Sequence, residues 1–369
     1  MPRPPGAKHI TRTSHIEMDM EVFAMPVSFF AFVHQAAHSP PLALTALLTL
    51  AVLVVNGWTD APNAIAGAVV TGALPFRRAV VLAAVCNFLG VLCVTAVNTS
   101  VAETVYSIAS FQGGPRAALT ALCAAMAAVV LWAGLAWIFG IPTSESHALV
   151  AGISGAAAAL EGSFSCVRWD CWAKVGLGLL LSAAAGFGAG WTARRGLGRL
   201  SLSPARFRLL QLPGAAAAAF LHGAQDGQKF LGVFLLGCAL AQGRGDEQTF
   251  LVPMWLMVLC AVFMALGTLM GGRRIIDTVG RDMVELGPRE GLSADAGSVC
   301  CLALSTALGL PISTTHTRTA ALLGVGRAGG GRVDWGVAGR IALAWVLTFP
   351  GCTALGWWSA RLSLALLPL

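Results

Sequence analysis

Asn56-Gly57-Trp58-Thr59-Asp60-Ala61-Pro62-Asn63 puts a carboxylate where an apolar chain should carry none: from Ser39 to Phe76, Asp60 is the only formal charge. A second stretch, His222-Gly223-Ala224-Gln225-Asp226-Gly227-Gln228-Lys229, has the same character, and from Leu209 to Gly243 the only charges are Asp226 and Lys229. A charged side chain at the centre of a bilayer costs roughly 2.5–3.5 kcal/mol on insertion scales, so such a residue marks function by default. Two of them in look-alike surroundings point to a duplicated transporter.

The rest of the chain supports a membrane setting. Its 369 residues are 56% hydrophobic and 11% charged, with a mean hydropathy of +0.74. Soluble domains carry about 25% charged residues. A membrane helix needs about 20 apolar residues, which leaves room for roughly ten to twelve segments. The net charge of +7 is not a nucleic-acid signal, because lysine occurs only at Lys8, Lys174 and Lys229 and the arginines gather in a few loops. That is the pattern of membrane topology. The ten cysteines are scattered without a CxxC and read as small buried hydrophobes, not as a disulfide framework or zinc site. No cofactor is called for.

Residues 1–40 read as a flexible N-terminal extension of mixed charge without a signal-peptide pattern. His34 and His38 lie one helical turn apart, but with no third ligand they suit an amphipathic pre-membrane helix better than a metal. Asn98-Thr99-Ser100 matches a glycosylation triplet, a pattern common by chance.

Apolar segments fall near 42–74, 78–98, 117–139, 141–160, 172–192, 209–241, 251–270, 296–310, 316–328 and 334–358. The first and sixth exceed a simple span, and each carries its Asp motif near the middle. Both therefore read as broken helices whose halves meet inside the membrane. Arg77 and Arg78, the arginines of a linker at 193–208, and Arg273, Arg274, Arg281 and Arg289 in a loop at 271–295 mark cytoplasmic connections. The N-terminus is then outside the plasma membrane. The second repeat, 209–369, starts from the side opposite to the first, 41–192, and is inverted relative to it.

A second motif pair agrees. Gly140-Ile141-Pro142-Thr143-Ser144-Glu145-Ser146-His147 and Gly309-Leu310-Pro311-Ile312-Ser313-Thr314-Thr315-His316 each follow their Asp by about 90 residues. A Pro before a hydroxyl cluster suits the first turn of a helix, whose free N–H groups and positive dipole end bind anions. Thr143, Ser144 and Ser146 would donate from one side, Ser313, Thr314 and Thr315 from the other. N-capping of ordinary membrane helices is the plainer alternative.

Asp60 and Asn63, three residues apart, share a helix face and offer hard oxygen ligands for a cation such as Na⁺, as does Asp226. A carboxylate here could instead carry a proton, or pin helix packing. Lys229 and Arg318 are the cations well inside apolar segments and could neutralise an anion or a neighbouring carboxylate; for Lys229 an internal pair with Asp226 is the simple alternative. His147 and His316 are anchors or proton acceptors. Glu145 stands at a break between segments and could face water.

At these residues the chain closely resembles the inorganic phosphate transporter (PiT, PHO4) family. The resemblance rests on NGWTDAPNAIAG at 56–67, HGAQDGQKFLG at 222–232, the paired Pro-x-Ser-x-Ser/Thr-His turns, and GGRRIIDTVG at 271–280, and it covers about residues 42–358. It implies an all-α polytopic secondary transporter of two inverted repeats, moving phosphate with Na⁺ or H⁺ as coupling ion. Sulfate and metal-phosphate complexes are the related cargoes. By motif, Asp60 and Asn63 match the first signature, and Asp226, Gln228 and Lys229 the second. Ser144, Ser146, Ser313, Thr314 and Thr315 match the anion-binding turns, with Asn56 in support. Thr59 and Gln225 stand where many members have Asn just before each Asp. Asn87 lies in a span where many eukaryotic members have Glu. The expected partners are an oxyanion, a coupling cation and the lipid bilayer; homo-oligomerisation is left open.

An intramembrane enzyme using Ser144 or Ser146 with His147 is disfavoured. Near-adjacent Ser and His on one turn do not face each other as nucleophile and base, and no G-x-S-x-G elbow is present. A channel is disfavoured because buried charges in repeats suit an occluded site.

Overall fold

The computed structural model describes residues 28–245 and 251–366. Most of the N-terminal extension, residues 1–27, lies outside the described residues. These form fourteen α-helices and no extended sheet. The first half comprises α1 (Phe29–His38), α2 (Pro40–Thr59), α3 (Pro62–Val70), α4 (Phe76–Thr95), α5 (Ser100–Tyr106), α6 (Pro115–Ile138), α7 (Glu145–Glu161) and α8 (Trp169–Leu197). The second comprises α9 (Pro204–Ala241), α10 (Met254–Met270), α11 (Arg273–Asp277), α12 (Pro288–Ala307), α13 (Thr314–Gly329) and α14 (Trp335–Leu366). Proline opens α2, α3, α6, α9 and α12, where its missing N–H is not needed.

The chain is an all-α, polytopic membrane protein. Among the described residues, five stretches are long and apolar enough to cross a bilayer: α2–α3 taken together, α4, α6, α8 and α14. A sixth is a pair bent by 67°, α10 with residues 273–282. Ten to twelve segments were expected. The shortfall has a physical cause: α7 and α13 run only 17 and 16 residues, while α9 and α12 are long but too polar to pass on composition. Polar side chains in their interiors, His222, Asp226, Lys229, Asp295 and Thr306 among them, are buried against other helices.

The two halves repeat one order of elements and exchange partners. Helix α4 packs on α9, and α10 on α2; α14 packs on α7, and α13 on α8. Glycines allow close crossings beside the Asp motifs. A Cβ at Gly57 would lie 2.3 Å from the Met264 carbonyl oxygen, and one at Gly223 would lie 2.3 Å from that of Asn87. Gly223→Val is therefore expected to force α4 and α9 apart at a cost of about 1–3 kcal/mol. Thermal unfolding of the detergent-solubilised protein measures this, and an unchanged midpoint would show that the crossing can relax.

The first motif breaks its helix and the second does not. Pro62 has no N–H for the preceding turn and its ring crowds the carbonyl four residues back, so α2 ends at Thr59 and α3 begins at Pro62. In the second motif the matching position is Gln228, and α9 runs unbroken for 38 residues. The expected break at 222–229 is absent because nothing there removes a backbone donor. The basic linker is also shorter than read, since only residues 198–203 lie between α8 and α9. Likewise 271–295 is not all loop: Pro288 opens α12, and Asp295, two turns in, is fully buried. Residues 29–38 of the extension form α1, where His38 Nδ1 lies 2.8 Å from the His34 carbonyl oxygen.

Candidate functional site: a buried carboxylate pair between two hydroxyl-rich turns

Asp60 closes α2 and Asp226 lies within α9, and the two side chains are buried at 2% and 0% exposure. His222, one helical turn before Asp226, sits between them. Its Nε2 is 3.4 Å from Asp226 Oδ2 and 3.8 Å from Asp60 Oδ2. Asn63 donates to Asp60 at 2.8 Å, across the break that Pro62 creates. Asn56 donates to Asp226 at 3.2 Å.

The turns reach this cluster as the tips of two helical hairpins, α6–α7 and α12–α13. Ser144 and Ser313 are the N-caps of α7 and α13. Pro142 and Pro311 lie two residues before the caps, not in the first turn, so each hairpin tip stays extended up to its Ser. The tips meet: Ser313 Oγ donates to Ser144 Oγ at 3.0 Å, and Thr315 Oγ1 to the Thr143 carbonyl at 3.2 Å. Ser313 Oγ also accepts from the His316 N–H at 3.2 Å.

The second turn carries the bridge to the acids. Thr314 Oγ1 is 3.1 Å from Asp60 Oδ2 and 3.2 Å from Asp226 Oδ2, within reach of both carboxylates for its single hydrogen. Thr315 Oγ1 is 2.5 Å from Asp60 Oδ1. Lys229 joins everything: its Nζ donates at 2.7 Å to Asp226 Oδ1, to Ser146 Oγ and to the Ile312 carbonyl. All three ammonium hydrogens are thereby used. The internal Asp226–Lys229 pair is real, and Lys229 also touches both turns.

Other residues singled out from the sequence lie elsewhere. Thr59 donates to Glu145 Oε1 at 2.6 Å, and Gln225 to Thr306 Oγ1 at 3.0 Å; neither is bonded to the Asp pair. Gln228 donates to the Asn98 carbonyl at 2.8 Å. Arg318 bonds Asp295, Ser298 and the Asn63 carbonyl. Glu145 does not face water: it is 2% exposed at the start of α7. The His147 and His316 rings lie 4.7 Å apart, and His316 also stacks on Trp345.

Sequence reading missed His222 as a site residue, although it stands four residues before Asp226. It also missed Asp295. Asn87 supports His222, with Oδ1 3.0 Å from the ring Nδ1, and is held in turn by Thr268.

Buried acids outnumber buried bases. Among the described residues, buried acids are Asp60, Glu145, Asp226 and Asp295, against buried Lys229 and Arg318. With all four acids ionised and the histidines neutral, the interior would lack two positive charges. Asp60, Asp226 and His222 bring ligand atoms within 4.8 Å of one another. The side-chain oxygens of Asn56 and Asn63 are buried without a hydrogen-bond partner. Carboxylate, amide and hydroxyl oxygens are hard ligands, and this set suits a hard cation.

Comparison with known proteins gives the family. The profile of the phosphate transporter family, PHO4, matches twice, over residues 56–204 and 198–356, once in each half. The chain is 35% identical over 327 residues to a probable low-affinity inorganic phosphate transporter of Bacillus subtilis (strain 168), covering 85% of this chain and 96% of that one. It is 37% identical over 305 residues to a protein of the same description from Rhizobium meliloti (strain 1021), covering 80% and 88%. A solved structure described as the sodium-dependent phosphate transporter superposes with a TM-score of 0.79 at 21% identity, over 89% of this chain and 100% of that one, a likeness of fold. The chain belongs to the phosphate transporter family.

Proposed function

We propose that the protein is a secondary active transporter that carries inorganic phosphate together with Na⁺ or H⁺, by alternating access between inverted repeats. The observation that carries this reading is the sharing of Thr314 and Thr315 between the anion-type turn and the carboxylates. The Thr314 hydrogen is within reach of both carboxylates, and the Thr315 hydrogen has Asp60 and the Thr143 carbonyl as alternative acceptors. A cation arriving at those carboxylates takes over their lone pairs and releases the hydroxyls. The same hydroxyls then face an oxyanion, alongside Ser144, Ser146 and Ser313 at the tips. Cation binding thus precedes anion binding, and a dianion enters only once the missing positive charge is supplied. Asn56, Asn63, Asp60 and Asp226 would hold Na⁺; with H⁺ as coupling ion, the carboxylates themselves take the proton. Thr59 and Gln225, turned to other partners, would act through Glu145 and Thr306.

Labelled phosphate uptake by proteoliposomes, with and without Na⁺ and with and without a pH gradient, tests the reading. Uptake is expected to require at least one of the two. Uptake indifferent to both would sink the coupling, and sulfate uptake that phosphate fails to inhibit would move the cargo to sulfate.

A further inference from the structure

Aligning the two hairpins through Gly140–His147 and Gly309–His316 sets Met126, Val129 and Leu149 of the first half against Asp295, Ser298 and Arg318 of the second. All six are buried, at 3% exposure or less. One hairpin therefore closes this level with three apolar side chains, the other with an ion pair and a hydroxyl. A buried ion pair is often no more stable than apolar residues of similar volume. Its sister half shows that this fold packs the position without charge. Packing alone does not account for Asp295 and Arg318.

Their placement does. Arg318 follows Thr314 by one turn of α13, towards the end of the molecule where arginines gather. There Arg194 at the end of α8 pairs with Glu290 of α12, and Arg208 of α9 donates to the Thr71 carbonyl after α3. A small cavity with about 10 Å³ of space for a water centre is lined by Asp60, Asn63, His222, Thr314 and Arg318 together. Arg318 thus borders the same space as the carboxylate pair. Its guanidinium is held by Asp295 Oδ1, by Ser298 Oγ at 2.8 Å and by the Asn63 carbonyl at 3.2 Å. Asp295 Oδ2 has no hydrogen-bond partner.

We propose that Arg318 is a second oxyanion-binding group, on the path between the carboxylate cluster and the basic end of the molecule, with Asp295 as its resting counter-ion. When the path opens, the guanidinium exchanges the Asp295 carboxylate for the anion's oxygens, which it matches in geometry. When the anion leaves, Asp295 takes the guanidinium back and so prevents a permanent trap. The inference rests on phosphate being the cargo.

Two variants and two readouts test it. Asp295→Asn keeps the volume and removes the competing charge, so purified protein should bind labelled phosphate at least tenfold more tightly while releasing it more slowly in exchange assays. The triple variant Asp295→Met, Ser298→Val, Arg318→Leu copies the first hairpin. It should fold, with an unfolding midpoint no lower than the parent's, yet transport phosphate at least tenfold more slowly. A triple variant that transports like the parent overturns the proposal, as does Asp295→Asn with unchanged phosphate affinity. If the triple variant unfolds, Asp295→Asn decides alone. Parent protein that binds no phosphate would sink the transport reading itself, and this inference with it.

Discussion

Asp60→Asn is expected to remove cation-dependent phosphate uptake while leaving the protein folded. The substitution keeps the volume and one acceptor oxygen, so Asn63, Thr314 and Thr315 retain something to bond. It breaks no Lys or Arg ion pair, because Asp60 has none among the described residues; the His222 ring nitrogen Nε2 lies 3.8 Å away. What it loses is the negative charge on a buried ligand. Truncating one side of a buried charge interaction typically costs about 2–5 kcal/mol, which lowers cation affinity on the order of 30-fold or more. Uptake in proteoliposomes should fall by a comparable factor at fixed Na⁺ and pH. Raising the cation concentration should recover part of it, since a weakened site still fills by mass action. Normal uptake at low cation concentration would remove Asp60 from the coupling site. A lowered unfolding midpoint with normal uptake would assign Asp60 to packing.

The contrast between Asp60 and Asp226 shows what sequence alone could and could not supply. Both acids, both hydroxyl turns and the internal duplication were visible, because each is a polar group in an apolar run and each occurs twice. The difference in backbone was misread because both runs exceed a simple span and carry an Asp motif near the middle, which suggested a break in each. The decisive residue is Pro62, and its counterpart Gln228 leaves α9 intact. His222 was passed over because a histidine four residues from an aspartate is ordinary on any helix. Only the crossing of α2 and α9 brings its ring towards Asp60 as well. Asp295 was hidden by its neighbours. Arg289 and Glu290 made the region read as a cytoplasmic loop, whereas α12 starts among them and carries Asp295 inward. Thr59 and Gln225 stand beside the acids in sequence, but neighbours on a helix point about 100° apart. That offset turns them to Glu145 and Thr306 instead.

Lys229→Met should be the most destabilising single change in the site. The lysine is 1% exposed, and its ammonium makes three 2.7 Å bonds that tie α9 to Ser146 of α7 and to the Ile312 carbonyl. Methionine fills similar space but leaves Asp226 charged, buried and without its cation. Removing one partner of a buried pair costs about 3–5 kcal/mol, and thermal unfolding in detergent should report a clear fall in midpoint. The double variant Asp226→Asn, Lys229→Met separates the two roles. With the stranded charge gone, most of the stability should return, and the coupling energy from the four-variant cycle should be large and favourable. Phosphate uptake should not return, because the double variant lacks both a cation ligand and the ammonium that joins the two turns. Recovery of uptake together with stability would make the pair a structural brace and leave Asp60 as the sole coupling carboxylate. Recovery of neither would mean that Lys229 holds the hairpin tips together independently of Asp226, through Ser146 and Ile312.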